Sequence, residues 1–292
     1  MRTVLISGAS GFIAGHIARK LKNEGFKTVG ISRKPGLFPG FDHVYHGTLR
    51  QPLERVFNRE TVQTFVHCAN HSGKNDYEIN VEGTKSWAEQ AAQEGAKLQI
   101  FLSSLSAREE SDSSYARAKF ALEKWFLAQR QVSLRLGLVV GDGGLFGTLV
   151  TLMKKYPALP LPDGGRQRVY LTGVDFLCDV IRDVVMGAVP KRDRKLWSLF
   201  QPNPVSLKAL LAEIRVQSGS RCILIPVPSG LILAAVCVTE CVPFLPLRMS
   251  RNNIIGLRQD SEPEFSSDFQ EFGYSELTLA ELVRVSLPKT QR

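Results

Sequence analysis

A short apolar run, Thr3 to Ser7, breaks into Gly8-Ala-Ser-Gly11-Phe-Ile-Ala14-Gly15, and a helical pattern carrying Ile13, Ile17 and Leu21 begins at once. No other stretch restricts the fold so tightly. A run of this length and composition fills a buried parallel strand. Gly8 permits a tight turn, and Gly11 lets a phosphate approach backbone N–H groups at the positive end of a helix. Strand, glycine turn and helix start together form a phosphate cradle. Ala14 stands where a third glycine is common, so the packing of helix on strand must accept one methyl group.

The chain then alternates. Strands are expected at Lys27 to Ser32, His43 to His46, Gln63 to Cys68, Leu98 to Ser103 and Val132 to Arg135, with helical segments around Asn80 and from Ser114 to Trp125. This alternation predicts an α/β fold, a Rossmann-like doubly wound parallel sheet with ligands at the carboxyl ends of its strands. Residues 1–140 form its dinucleotide-binding core. Residues 141–292 mainly form a small C-terminal substrate-binding lobe, with some segments returning to the core. Within them Val174 to Val185 reads as a helix, and Ser206 as the cap of another.

The second strand ends in Ser32-Arg33-Lys34, where an acidic residue would bind the ribose 2′-hydroxyl of NAD. Ser32 and Arg33 instead suit a 2′-phosphate, through charge-assisted hydrogen bonds. NADP(H) is therefore favoured over NAD(H) as the cofactor. Farther on, Ser104 tips a strand, and Tyr115 and Lys119 share a helix face one turn apart. A tyrosine hydroxyl can protonate a carbonyl oxygen as hydride arrives, and a neighbouring ammonium is expected to lower its pKa. Lys119 can also hold the nicotinamide ribose, while Ser104 hydrogen-bonds the substrate oxygen. Ser104, Tyr115 and Lys119 are thus the candidate catalytic set.

These motifs resemble the short-chain dehydrogenase/reductase superfamily, in its extended or atypical branch, which includes the NAD-dependent epimerase/dehydratase family. Gly8-Ala-Ser-Gly-Phe-Ile matches its cofactor loop, Val66-His-Cys-Ala its fourth-strand motif, and Asn80-Val-Glu-Gly-Thr its Asn-Val-x-Gly-Thr helix. The resemblance implies cofactor contacts from Gly8, Ser10, Gly11, Phe12, Ile13, Cys68, Ala69 and Lys119. It also places Arg168 where the family grips a substrate diphosphate, with Ser104 as a second substrate contact. An NADP(H)-dependent reduction of a nucleotide-linked sugar carbonyl is the activity it implies first. A sugar-nucleotide 4-epimerase, or a non-catalytic NADP-sensing or assembly subunit, are the alternatives. Thr48 stands where the family usually has an aspartate for the adenine amino group. Leu105 and Ser106 stand where dehydratases carry an acid pair. His71 lies outside the pattern and reads as a loop histidine.

Composition narrows the partners. The net charge is +9, but basic residues are spread out, which favours anionic small molecules over nucleic acid. Five cysteines without CxxC spacing read as reduced core residues, and no metal site is expected. The apolar stretch Ser229 to Leu247 is interrupted by Glu240, Pro243 and Pro246, so a buried or interface helix is expected there, not a membrane span. With no signal peptide evident, a cytoplasmic location is expected. The expected partner is a small-molecule substrate, and a homodimer is left open.

Overall fold

Thr3–Ser7 (β1) is buried along its whole length, as a strand covered on both faces must be. In the computed structural model, which describes residues 2–191, 193–231 and 266–287, it lies in the interior of a seven-stranded sheet. The other strands are Lys27–Ser32 (β2), His43–His46 (β3), Thr64–His67 (β4), Leu98–Ser104 (β5), Val132–Leu136 (β6) and Leu196–Leu199 (here β7). Their order is β7-β6-β5-β4-β1-β2-β3, and every pairing is parallel. The chain winds outward from β1 in one direction and resumes at β4 in the other. The carboxyl ends of β1 and β4 therefore flank the switch point where such sheets bind ligands.

The sheet has helices Phe12–Asn23 (α1), Glu54–Phe57 (α2), Asp76–Gln93 (α3), Ser114–Ala128 (α4) and Val174–Met186 (α5) around it. The apolar positions of α1, Ile17, Ala18 and Leu21, face inward, and Ala14 is fully buried among them. The methyl group at that position is accommodated. Lys20 of α1 pairs with Asp179 of α5 at 2.6 Å. On α3, Trp87 and Ala91 pack with Leu5, Val29 and Phe65 of the sheet. Phe126 of α4 stacks on Phe101 of β5, with ring centroids 5.0 Å apart.

The described residues fall into two compact units, the first from 2–136, 174–199 and 267–274 and the second from the remainder. The returning strand β7 and helix α5 complete the first. The second contains Gly144–Lys155 (α6), Leu207–Ser218 (α7) and Leu279–Ser286 (α8), with short paired strands between them. Ser206 caps α7, accepting from the Ala209 N–H at 3.1 Å, and a Thr278–Glu281 capping box starts α8. The apolar faces of these helices, including Phe146, Val150, Leu210, Ile214 and Val283, build its core. Helix α6 follows the glycine-rich Gly141 to Gly144, which sequence reading placed only as a loop.

No helix among the described residues is long and apolar enough to cross a membrane. Most of the Ser229 to Leu247 stretch, with Cys237 and Cys241, lies outside the described residues. Cys68, Cys178 and Cys222 are free thiols.

Candidate active site

The glycine loop adopts the conformation its residues predict. Gly8 has φ +75°, and a Cβ there would meet the Ala69 backbone at 3.2 Å, so both dihedral and space demand glycine. The Gly11 N–H donates to the Gly8 carbonyl at 2.7 Å and closes the turn. Gly11 is also the N-cap of α1, without a side-chain cap and without acidic residues in the first turn. No carboxylate of the helix's own first turn competes for the N–H groups at this helix start. That is the donor set a pyrophosphate requires, and the residues fit a dinucleotide.

Ser7, at the end of β1, fixes the facing strand end. Its hydroxyl accepts from the N–H groups of Cys68 and Ala69, both at 3.0 Å. Between these ends opens a cleft of about 340 Å³ lined by Gly8, Ser10, Gly11, Arg33, Cys68 and Ala69 among others. Six of the residues predicted to hold the cofactor thus share one cavity. Phe12, Ile13, Ser32 and Lys119 do not line it. Phe12 sits edge-on to His16, at 5.0 Å between ring centroids. Ser32 is buried, and its oxygen accepts from the Lys34 N–H at 3.0 Å. Of the Ser32–Arg33 pair, Arg33 is the one exposed to the cleft.

His71 also lines this cavity, which the sequence did not suggest. Asn80 holds it there. The Asn80 side chain accepts from the His71 N–H at 2.7 Å and donates to its carbonyl at 2.8 Å. The Asn-Val-x-Gly-Thr segment thereby has a mechanical account. Its Asn80 clamps the loop after β4, and a Cβ on Gly83 would lie 2.1 Å from the Leu49 carbonyl, so glycine alone lets α3 approach that segment. Trp87, one turn on, donates its indole N–H to the Gln51 carbonyl at 2.7 Å.

The second cluster gathers at the end of β5 and the start of α4. Ser113 caps α4 by accepting from Ala116, and Tyr115 and Lys119 follow on the helix. The Tyr115 hydroxyl shares a hydrogen bond with Ser104. Ser104 is itself held by Ser106, hydroxyl to hydroxyl at 2.9 Å and through the Ser106 N–H at 3.2 Å. Ser106, read from the sequence only as a missing acid, orients the candidate substrate donor.

Lys119 departs from expectation. Its ammonium lies 5.6 Å from the centre of the Tyr115 ring and donates to the Leu102 carbonyl at 2.6 Å. Burial raises the Tyr115 pKa and the hydrogen bond with Ser104 offsets this in part, so the expected lowering by Lys119 does not occur here. Burial instead pulls Lys119 itself down to about 8. The same lysine links the two clusters, because its charge acts on the Cys68 thiol, which burial nonetheless pushes up to about 12. His67 beside it donates from Nε2 to the Gln99 carbonyl oxygen at 2.8 Å, since the Gln99 amide donates to Ala88. Burial brings His67 down to about 3. It is neutral and structural.

A buried ion pair secures α4. Glu123 accepts from Arg135 Nε at 2.8 Å and from Nη2 at 2.5 Å, tying the helix to β6. Arg168 lies in the second unit, exposed, on a short strand paired with Val205–Ser206.

A parallel sheet with a glycine-cradled switch point, and a Ser–Tyr pair with a lysine one helical turn on, are the features the comparisons can be set against. Comparison with known proteins agrees. Residues 4–153 match the model of the NAD dependent epimerase/dehydratase family. The chain belongs to that family, which is a family of enzymes. It is 33% identical over 175 residues to ceramide reductase of Caulobacter vibrioides, a match covering 54% of this chain and 53% of that protein. The chain thus spans about half the length of that curated relative. Among solved structures it resembles UDP-glucose 4-epimerase of Thermotoga maritima with UDP-glucose, at TM-score 0.75, 16% identity and 97% coverage of both chains. It also resembles the Bordetella bronchiseptica enzyme WbmH in complex with NAD+, at TM-score 0.71 and 18% identity, covering 98% of this chain and 97% of that one. At these identities the solved structures speak for the fold.

Proposed function

We propose that this protein is an NADP(H)-dependent reductase, with Tyr115 as the proton donor to a substrate carbonyl. The observation that carries the reading is the Ser104–Tyr115 hydrogen bond with Lys119 one helical turn away. A tyrosine whose pKa lies above its ordinary value keeps its proton at neutral pH and acts as an acid. That is the state needed for reduction. The cofactor, when bound, supplies the hydride. Ser104 donates a hydrogen bond to the substrate oxygen, Tyr115 gives that oxygen its proton, and the Ser104 hydrogen bond, which favours the ionised phenol, eases the loss. The cradle from Gly8 to Gly11 would hold the pyrophosphate, and Arg33 the 2′-phosphate.

A nucleotide-linked sugar is the leading substrate class, supported by the fold shared with proteins that bind UDP-glucose and by a guanidinium at Arg168 able to grip a diphosphate. The likeness to ceramide reductase favours a second reading, a carbonyl on a ceramide-like lipid. Offering the purified protein NADPH with 4-keto nucleotide sugars, and separately with a ceramide-like ketone, tests both. Stoichiometric NADPH oxidation with one class identifies it. Interconversion of UDP-hexoses without net cofactor change would replace reductase by epimerase.

A further inference from the structure

We infer that Arg50 is a second residue selecting NADP(H), which together with Arg33 receives the 2′-phosphate. The inference rests on the dinucleotide reading above and adds a residue outside the glycine loop and the end of β2.

Arg50 lines the same cleft as Gly8, Gly11 and Arg33. It lies in the turn beyond β3, and Arg33 lies directly beyond β2. Those two strands end side by side, with Ser32 paired to His46 and the Gly47 N–H donating to the Ser32 carbonyl at 3.0 Å. Arg50 sits in a tight turn closed by the Gln51 N–H on the Thr48 carbonyl at 2.9 Å. Helix α3 grips this turn twice, through the Gly83 approach to Leu49 and the Trp87 bond to Gln51. The backbone carrying the guanidinium is thereby placed before any ligand arrives, which lowers the ordering cost of binding.

The charge balance points the same way. Among the described residues no Asp or Glu lines the cleft. Two acids that bond to residues of β2, Asp42 and Glu60, are engaged away from the cleft. Asp42 accepts from Lys22 at 2.7 Å and from the Thr28 N–H, and Glu60 accepts from Lys27 at 2.5 Å and from Tyr45. Among the described residues, neither the Arg33 nor the Arg50 guanidinium has an ion-pair or hydrogen-bond partner. Two exposed guanidiniums facing a cavity without a carboxylate match a dianionic phosphate. They do not match the neutral ribose edge of NAD, which an acid would recognise.

The test is fluorescence or calorimetric titration of the full chain with NADPH, NADH, 2′,5′-ADP and 5′-AMP, with no turnover required. Wild type should bind NADPH at least tenfold tighter than NADH. Arg50→Ala and Arg50→Gln should each weaken NADPH and 2′,5′-ADP about tenfold or more and leave NADH and 5′-AMP within twofold. Arg50→Lys should recover part of the loss, and Arg33→Ala/Arg50→Ala should equalise the two dinucleotides. Arg55→Ala, an exposed cation on α2 outside the cleft, should leave the ratio unchanged. If Arg50 variants bind all four ligands as wild type does, or weaken all four alike, the inference is wrong. Equal wild-type affinity for NADPH and NADH would also overturn it while leaving the dinucleotide reading intact. Failure of every ligand to bind wild type would remove both.

Discussion

Lys119 is a buried cation that should cost the fold stability and repay it in chemistry. Its pKa falls from 10.5 to about 8 because burial penalises the ammonium. For a lysine depressed in the native state, the unfolded chain binds more protons between those two values, so stability rises with pH across that window. Below pH 8 the penalty is complete, on the order of 3 kcal/mol at about 1.4 kcal/mol for each pH unit. Near pH 10 it should have fallen to about 1 kcal/mol.

Lys119→Met keeps the volume and removes the charge. It also removes the hydrogen bond to the Leu102 carbonyl, a loss that does not vary with pH. Urea unfolding of the ligand-free wild type and variant at pH 7 and pH 10 isolates the titrating part. The stability difference, variant minus wild type, should shrink by about 2 kcal/mol on going from pH 7 to pH 10. The variant should meanwhile lose turnover and weaken dinucleotide binding. A difference that stays constant from pH 7 to pH 10 would mean that Lys119 titrates as an ordinary lysine, and the argument from burial would fail.

Tyr115→Phe removes one hydroxyl at the end of the Ser104 hydrogen bond. It should leave the NADPH dissociation constant within about twofold and lower kcat by ~10²–10⁴-fold, as expected for a lost general acid; full activity would move the proton donor elsewhere. Glu123→Gln breaks a bidentate pair buried between α4 and β6. It should cost about 3–5 kcal/mol in chemical denaturation by stranding the Arg135 charge, and a loss under 1 kcal/mol would show that the site relaxes around it.

How much of this was legible in sequence depends on how local the cause is. The loop from Gly8 to Gly11, the Ser206 cap and the spacing of Tyr115 to Lys119 each act within a few residues, and each stands where the pattern placed it. The seventh strand, Leu196–Leu199, pairs with Val132–Leu136 across some sixty residues, and short apolar runs do not announce such partners. Helix α6 begins at Gly144 after a glycine-rich turn that masks its periodicity. Gly83 and Asn80 were visible as a motif, but their work is done on Leu49 and His71, which only the folded chain brings near. The same holds for Arg50, an unremarked turn residue until α3 fixes its turn beside the cleft.

Burial, which composition does not report position by position, decides the protonation of the whole site. Lys119 and His67 are buried and Tyr115 and Cys68 partly so, and each shift disfavours the charged form: tyrosine and thiol keep their protons, histidine stays neutral, lysine holds its proton less firmly. With His67 and Cys68 neutral and unable to act as bases at physiological pH, Tyr115 and Lys119 are left as the groups able to move protons beside Ser104. A protonated phenol beside a weakened ammonium is arranged to give up a proton to an oxygen that is gaining charge. In the free protein the phenol therefore enters the proposed reaction protonated, as its acid.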